Sequence, residues 1–327
     1  MLTGRLGSSG LSVTPIGLGL AALGRPGYIT TGRDVDLGTD RTVSTMRRRA
    51  HEVLDAAYAA GIRYFDEARS YGLAEEFLAS WIAEYRIPAA AITVGSKWGY
   101  THTADWRIDA PVQEVKDHSL QALLRQSAES REILGRHLEL YQIHSATLES
   151  GVLENREVLA ELVRMTDQGL AIGLTLSGPD QAVVARRALE VEVDGVNPFT
   201  VVQATWNLLE TSVGPALAEA RAAGWGVIIK EALANGRLAA LDPSAAPAPL
   251  RDIANAHGAT VDAVAIAAAL AQPWTDVVLS GAVTAAQLES NVAAAGLRLS
   301  EADLVRLGGL AGDPGRYWTA RKEMPWR

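Results

Sequence analysis

The chain has 327 residues, is 48% hydrophobic, carries a formal net charge of -8 and contains no cysteine. That length and apolar content suffice for one large core, so a single domain over residues 1–327 is expected. The acidic balance gives no general attraction to nucleic-acid backbones or anionic membranes. The missing thiols exclude disulfides, cysteine nucleophiles and thiolate metal sites.

The first ten residues hold no apolar stretch of signal-peptide length, and no run approaches the roughly 18 apolar residues of a membrane span. A cytoplasmic location is therefore expected. In residues 5–13, Gly and Ser separate two short extended runs, which predicts a hairpin. A strand over 15–20 leads into the polar, Gly-rich segment 24–45, longer than a usual connection and read as a mobile loop or lid. Beyond it, strands are predicted over 62–66, 92–97, 138–144, 171–175, 200–205, 226–230 and 277–280. Amphipathic stretches over 46–60, 74–85, 112–134, 154–168, 181–189, 213–223 and 285–295 separate them as helices. An Ala/Pro-rich loop over 242–250 is followed by helices over 250–257 and 261–271, read as additions. Ser300-Glu-Ala-Asp303 begins a further helix through a capping pattern. Short apolar runs alternating with amphipathic segments predict parallel strands joined by helices, and eight such units predict a closed (β/α)₈ barrel whose bottom the hairpin plugs.

Gly61-Ile-Arg-Tyr-Phe-Asp66-Glu-Ala-Arg-Ser-Tyr71-Gly72 and Val94-Gly-Ser-Lys97 carry the chemistry. A tyrosine acting as acid and base needs a cation nearby to lower a phenol pKa of about 10. That cation in turn needs a carboxylate to hold it. Tyr71, Lys97 and Asp66 are those residue types, and Leu140-Tyr-Gln-Ile-His144 ends an apolar run with a histidine able to bond a substrate oxygen. In a barrel of this kind, catalytic groups stand at the C-terminal strand ends. Asp66, Lys97 and His144 end predicted strands, and Tyr71 follows one closely. The other five histidines form no ligand-like cluster, so no metal is expected.

In identity, order and approximate spacing, Asp66, Tyr71, Lys97 and His144 resemble the tetrad of the aldo-keto reductase superfamily, over nearly the whole chain. The resemblance implies a barrel oxidoreductase that moves hydride between NAD(H) or NADP(H) and a small carbonyl or hydroxyl substrate, without a metal. Tyr71 would exchange the proton, Lys97 would lower its pKa, Asp66 would pair with Lys97, and His144 would orient the substrate oxygen.

The resemblance also suggests how the cofactor is held. Gly19 permits close approach at the first strand end. Thr175 stands where the family has the serine of a Ser-Asn pair, with Leu176 in place of the asparagine, a departure similar to the sugar-dehydrogenase branch. Gln203 would bond the carboxamide, and Trp206, at the family's tyrosine position, would stack on the nicotinamide. Leu233 belongs to a pyrophosphate-wrapping loop in which Ala232 replaces the usual proline. Ser280, Gly281, Gln287 and Asn291 lie in the adenosine segment. Family members often have basic residues along this turn for a 2′-phosphate, whereas Gly281, Ala282 and Gln287 stand here, so NAD(H) is at least as well served as NADP(H). Trp98, Tyr100 and Trp106 are candidates for the substrate wall. The competing reading is a regulatory protein that keeps the fold and cofactor but turns over weakly, as the potassium-channel β subunits of the family suggest.

Overall fold

In the computed structural model, residues 1–239 and 246–326 are described. A short antiparallel hairpin of β1 (Gly4–Arg5) and β2 (Ser12–Val13) precedes the barrel. The barrel strands are β3 (Ile16–Gly19), β4 (Tyr64–Asp66), β5 (Thr93–Trp98), β8 (Leu138–Ala146), β9 (Ala171–Leu176), β10 (Phe199–Thr205), β11 (Gly226–Lys230) and β12 (Val277–Ser280). They close in that order, all parallel, with β12 pairing back to β3. Every one matches a predicted strand.

Helices α1 (Arg33–Leu37) and α2 (Val43–Ala59) follow β3, and α3 (Ala74–Tyr85) follows β4. Helices α4 (Leu120–Leu134), α5 (Arg156–Asp167), α6 (Gln181–Leu189) and α7 (Gly214–Ala222) continue the ring. After β11 come α8 (Ala248–His257) and α9 (Val261–Leu270), and after β12 come α10 (Ala285–Ala293), α11 (Glu301–Gly308) and α12 (Pro314–Lys322). Polar N-caps start many of them. Thr42, Ser119, Asn155, Thr260, Thr284 and Asp313 each accept from a first-turn backbone N–H, and Ser300 with Asp303 forms the expected capping box.

Three differences from the sequence reading stand out. The helix predicted over 112–134 starts only at Leu120. The residues before it give β7 (Glu114–Lys116), antiparallel to β6 (Tyr100–His102), because their edges pair with each other and Ser119 caps the helix behind them. Segment 24–45, read as a mobile loop or lid, contains a short helix, α1, and the buried Arg33 guanidinium ties it down through the carbonyls of Ala22, Pro26 and Arg25. Helix α12 was not foreseen, although Asp313-Pro314 is an N-cap followed by Pro at the first helical position. In the Ala/Pro-rich loop, residues 242–245 lie outside the described residues, and 248–250 already belong to α8.

Side chains that point inward alternate along each strand with a period of two. Near the bottom, Tyr64, Leu140, Val201, Ile228 and Val277 form an apolar layer, and Leu6 of the hairpin turn packs against it, fully buried. The hairpin thus plugs the barrel as expected. Two glycines make room for the large Tyr64 side chain. A Cβ at Gly17 or at Gly95 would stand 2.7 Å from its ring or its hydroxyl, respectively. Gly95→Ala should therefore destabilise the protein by about 1–3 kcal/mol through overpacking and displace the Tyr64 hydroxyl. Urea unfolding checks this, and an unchanged midpoint would rule the packing argument out.

Candidate active site

Two residues above the apolar layer, the same inward faces turn polar. Lys97, on β5, donates to Asp66 Oδ2 at 2.5 Å and to the Glu67 carbonyl at 2.7 Å, with Lys97 and Asp66 both almost wholly buried. Asp66 Oδ1 accepts from Tyr64 Oη at 3.1 Å, Gln203 Nε2 at 2.9 Å and Gln142 Nε2 at 3.4 Å. The ion pair is thus surrounded by donors from three different strands. Lys97 Nζ stands 4.7 Å from the centre of the Tyr71 ring, and the His144 ring meets that tyrosine edge-on at 5.5 Å. The structure therefore brings Asp66, Tyr71, Lys97 and His144 together at the C-terminal mouth of the barrel.

Local backbone geometry aims His144. The register of β8 against β9 shifts between Ile143 and Ala146, and Ser145 takes a left-handed φ of 53°. Thr175 holds this bulge, its hydroxyl accepting from Ser145 N–H at 2.7 Å. His118 Nε2 bonds the His144 carbonyl at 2.9 Å, and Ser70 Oγ contacts His144 Nδ1 at 3.3 Å. Burial, then the charges of Lys97 and Arg25, push the His144 imidazole well below its usual pKa, so it is neutral at physiological pH. Burial and then the Asp66 carboxylate push the Tyr71 phenol well above 10, with Arg25 opposing. Lys97 lies close to Tyr71, but its charge is paired with Asp66.

A cleft of about 400 Å³ runs from Asp66, Tyr71 and Gln203, past the 231–236 loop, to Ser280 and the start of α10. Gly19, Gln203, Leu233, Ser280, Gly281, Gln287 and Asn291 line it. Thr175 and Trp206 do not: Thr175 supports the bulge, and Trp206 is 6% exposed with its ring edge-on to Trp274 at 5.8 Å. Of the proposed wall, Tyr100 meets the His144 ring at 5.0 Å, Trp98 is fully buried beside His118, and Trp106 donates to the Arg41 carbonyl at 2.7 Å. Buried polar atoms without partners line the cleft, namely Gln203 Oε1, Asn235 Oδ1 and Asp262 Oδ1. Unpaired groups of this kind at separate points along an elongated cleft fit a dinucleotide rich in hydroxyl and amide groups. Among the described residues, no group of His, Cys, Asp or Glu is arranged to hold a metal ion, and no single helix is long and apolar enough to cross a membrane.

Several residues at the site escaped the sequence reading. Arg25 stacks over Tyr71, Tyr28 and Trp326 at 4.7–5.2 Å and pairs with Glu114 at 2.9 Å, joining segment 24–45, the β6–β7 hairpin and the C-terminal tail. Arg321 of α12 grips Glu231 through its guanidinium nitrogens, with Nε 2.9 Å from Oε2. Lys230 bonds Thr205 Oγ1 at 2.8 Å, and burial lowers its pKa to about 8. Glu231, Ala234 and Asn235 all have left-handed φ values, 49–57°, as the loop bends around the cleft. Such backbone costs about 1–3 kcal/mol per residue and clusters at ligand clamps.

An eight-stranded parallel barrel with a polar mouth and an elongated cleft defines a (β/α)₈ barrel protein with a ligand site at its C-terminal strand ends. The model of the Aldo/keto reductase family matches residues 15–311. The chain belongs to that family of NAD(P)-dependent oxidoreductases. It is 24% identical to the Glycine max protein named "Probable aldo-keto reductase 1", covering 99% of this chain and 94% of that one. It is 27% identical to the Bacillus subtilis uncharacterized oxidoreductase YqkF, over 48% of this chain and 44% of that protein. The solved holo form of the Bacillus halodurans aldo-keto reductase AKR11C1 superposes with a TM-score of 0.69 at 20% identity, covering 96% and 97% of the two chains.

The clamp from α12 gives a direct test. Removing one partner of a buried pair strands the other charge, so Arg321→Met should cost about 3–5 kcal/mol in urea unfolding. The Glu231 pKa is depressed from 4.5 to about 2 although burial opposes the shift, with Arg321 the largest lowering influence. The stabilisation is therefore complete above the unfolded value and lost as pH falls towards the folded one. The gap between wild type and variant should shrink between about pH 5 and pH 3. A gap below about 1 kcal/mol at neutral pH would show that the contact is only a surface-like pair.

Proposed function

We propose that this enzyme moves hydride between NAD(P)(H) and a small carbonyl or alcohol, whether aldehyde, ketone or sugar, with Tyr71 as general acid and base. The observation that carries this reading is the buried Lys97–Asp66 pair, 2.5 Å apart, beside the Tyr71 ring. A bound nicotinamide dinucleotide supplies or accepts the hydride.

The side chains handle the proton and the geometry. Tyr71 donates to the carbonyl oxygen in reduction and recovers the proton in oxidation. Burial keeps its phenol protonated at physiological pH, as a donor must be. Lys97 faces the phenolate that donation leaves behind, and Asp66 fixes the direction of the ammonium group. Neutral His144, engaged at Nδ1 by Ser70, offers its other ring nitrogen to the substrate oxygen. Tyr100, against His144, forms the nearest part of the wall, with Trp106 further out, while Trp98 packs on His118 in the interior.

For the dinucleotide, Gln203 Oε1 accepts from the carboxamide, and Thr175, outside the lining, acts through the bulge that aims His144. Gly19, in the cleft lining, allows close approach, and Trp206, packed on Trp274 outside the lining, backs the site. Leu233 and its loop flank the pyrophosphate, while Ser280, Gly281, Gln287 and Asn291 surround the adenosine. Thr175-Leu176 favours a sugar-dehydrogenase-like variant of the chemistry. The expected setting is the cytoplasm, consistent with a cysteine-free chain, and the acidic composition argues against nucleic-acid or membrane partners.

Tyr71→Phe tests the assignment. Turnover of aldehydes, ketones and sugars should fall about 10²- to 10⁴-fold while dinucleotide affinity, followed by tryptophan fluorescence, stays unchanged. Wild-type-like turnover in the variant would reject Tyr71 as the proton donor. Tight dinucleotide binding by the wild type without turnover of any of these substrates would favour the regulatory reading.

A further inference from the structure

Where the cleft reaches α10, a carboxylate from segment 24–45 borders it. Asp36, on α1, accepts from Gln287 Nε2 of α10 at 2.7 Å, and both side chains line the cleft. The same segment is pinned nearby, with Thr31 N–H donating to the Asn235 carbonyl at 3.0 Å. One turn further along α10, Asn291, with its amide oriented to satisfy both neighbours, donates to Asp262 Oδ2 at 3.0 Å and accepts from Ser280 Oγ at 2.8 Å. The other oxygen of Asp262 lacks a partner, on a side chain that is 5% exposed and borders the cleft.

This end therefore presents two carboxylates together with amide and hydroxyl groups. The Arg33 guanidinium also reaches the cleft, but it is bonded to the carbonyls of Ala22, Pro26 and Arg25 at 2.5–2.9 Å. Lys230, the other cation in the lining among the described residues, lies at the barrel mouth and bonds Thr205. A ribose hydroxyl can donate to a carboxylate, whereas a phosphate has only charge and acceptors to offer it. A carboxylate can take several such bonds, so Asp36 can keep Gln287 and receive a hydroxyl as well.

We propose that Asp36 is a specificity-determining residue: its carboxylate receives the adenosine 2′-hydroxyl and, with Asp262, repels a 2′-phosphate, so the cleft selects NAD(H) over NADP(H). The inference rests on the dinucleotide reading above and extends it to a residue of the 24–45 insertion. It assigns that segment a role in choosing the nucleotide as well as covering it.

The experiment is binding rather than turnover. Tryptophan fluorescence of the full chain is followed during titration with NADH and NADPH, and 5′-AMP and 2′,5′-ADP, which lack nicotinamide and differ only in the 2′-phosphate, are compared as competitors. The wild type should bind NADH tighter than NADPH by on the order of 10- to 100-fold, with the same order for 5′-AMP over 2′,5′-ADP. Asp36→Asn removes the charge but keeps the shape and an acceptor for Gln287. It should lower both ratios about tenfold, mainly by strengthening the phosphorylated ligands, with an unchanged melting temperature as the check on folding. Equal or tighter binding of NADPH by the wild type, or unchanged ratios in the variant, would overturn the inference and leave the oxidoreductase reading standing. Failure to bind either dinucleotide would overturn both.

Discussion

The site depends on keeping an ammonium and a carboxylate together in a nearly dry interior. Isolated burial of either charge would cost several kcal/mol, and mutual attraction offsets this only when the remaining donors and acceptors are satisfied. Here Lys97 has both Asp66 and the Glu67 carbonyl, while Asp66 accepts from Tyr64, Gln142 and Gln203. The need reaches down into the core. Tyr64 can bring its hydroxyl to Asp66 because Gly17 and Gly95 leave room for its ring, which also forms part of the apolar layer sealed by Leu6. Packing at the barrel bottom and electrostatics at its mouth are thus two ends of one side-chain arrangement.

Charge near the pair is managed with the same care. Glu67, fully buried with neither carboxyl oxygen bonded, is pushed well above the carboxylate range by burial and then by Glu75, which keeps it neutral. Glu75 is ionically paired with Arg69 and accepts from Ser96 and Ser130. One uncompensated anion beside Lys97 would compete with Asp66 for its charge. A protonated Glu67 does not.

Around this rigid centre, the cleft is built from strained or inserted segments. The left-handed residues of the 231–235 turn are held by Arg321 on Glu231 and by Asn207, which donates to the Glu231 carbonyl. Segment 24–45 is held by Arg33 and by contacts to the 231–236 loop and α10. The chain thereby draws its N-terminal insertion and its last helix to the same mouth. Arg25, stacked between Tyr28, Tyr71 and Trp326, joins them.

Much of this was legible in the residues themselves. The eight strands followed from short apolar runs, and the polar groups at their ends followed from a period of two: Tyr64 and Asp66, Gly95 and Lys97, Leu140 and Gln142 with His144, and Val201 and Gln203 share inward faces. The β6–β7 hairpin was missed because its pairing joins residues on either side of a long polar loop, and local periodicity does not report a partner so far away. Arg25, Asp36, Lys230 and Arg321 were missed as site residues for a related reason. Nothing in the residues around Arg321 points to Glu231, which lies 90 positions earlier, and nothing in α1 points to Gln287, which lies 251 positions later. The sequence by itself determined the strand order, the apolar bottom and the kinds of side chain at the mouth, because these depend on local pattern and chain continuity. Only the tertiary structure decided which charges pair, which polar atoms are left to face the cleft and which distant segments cover it, because those outcomes depend on distances that closing the barrel creates.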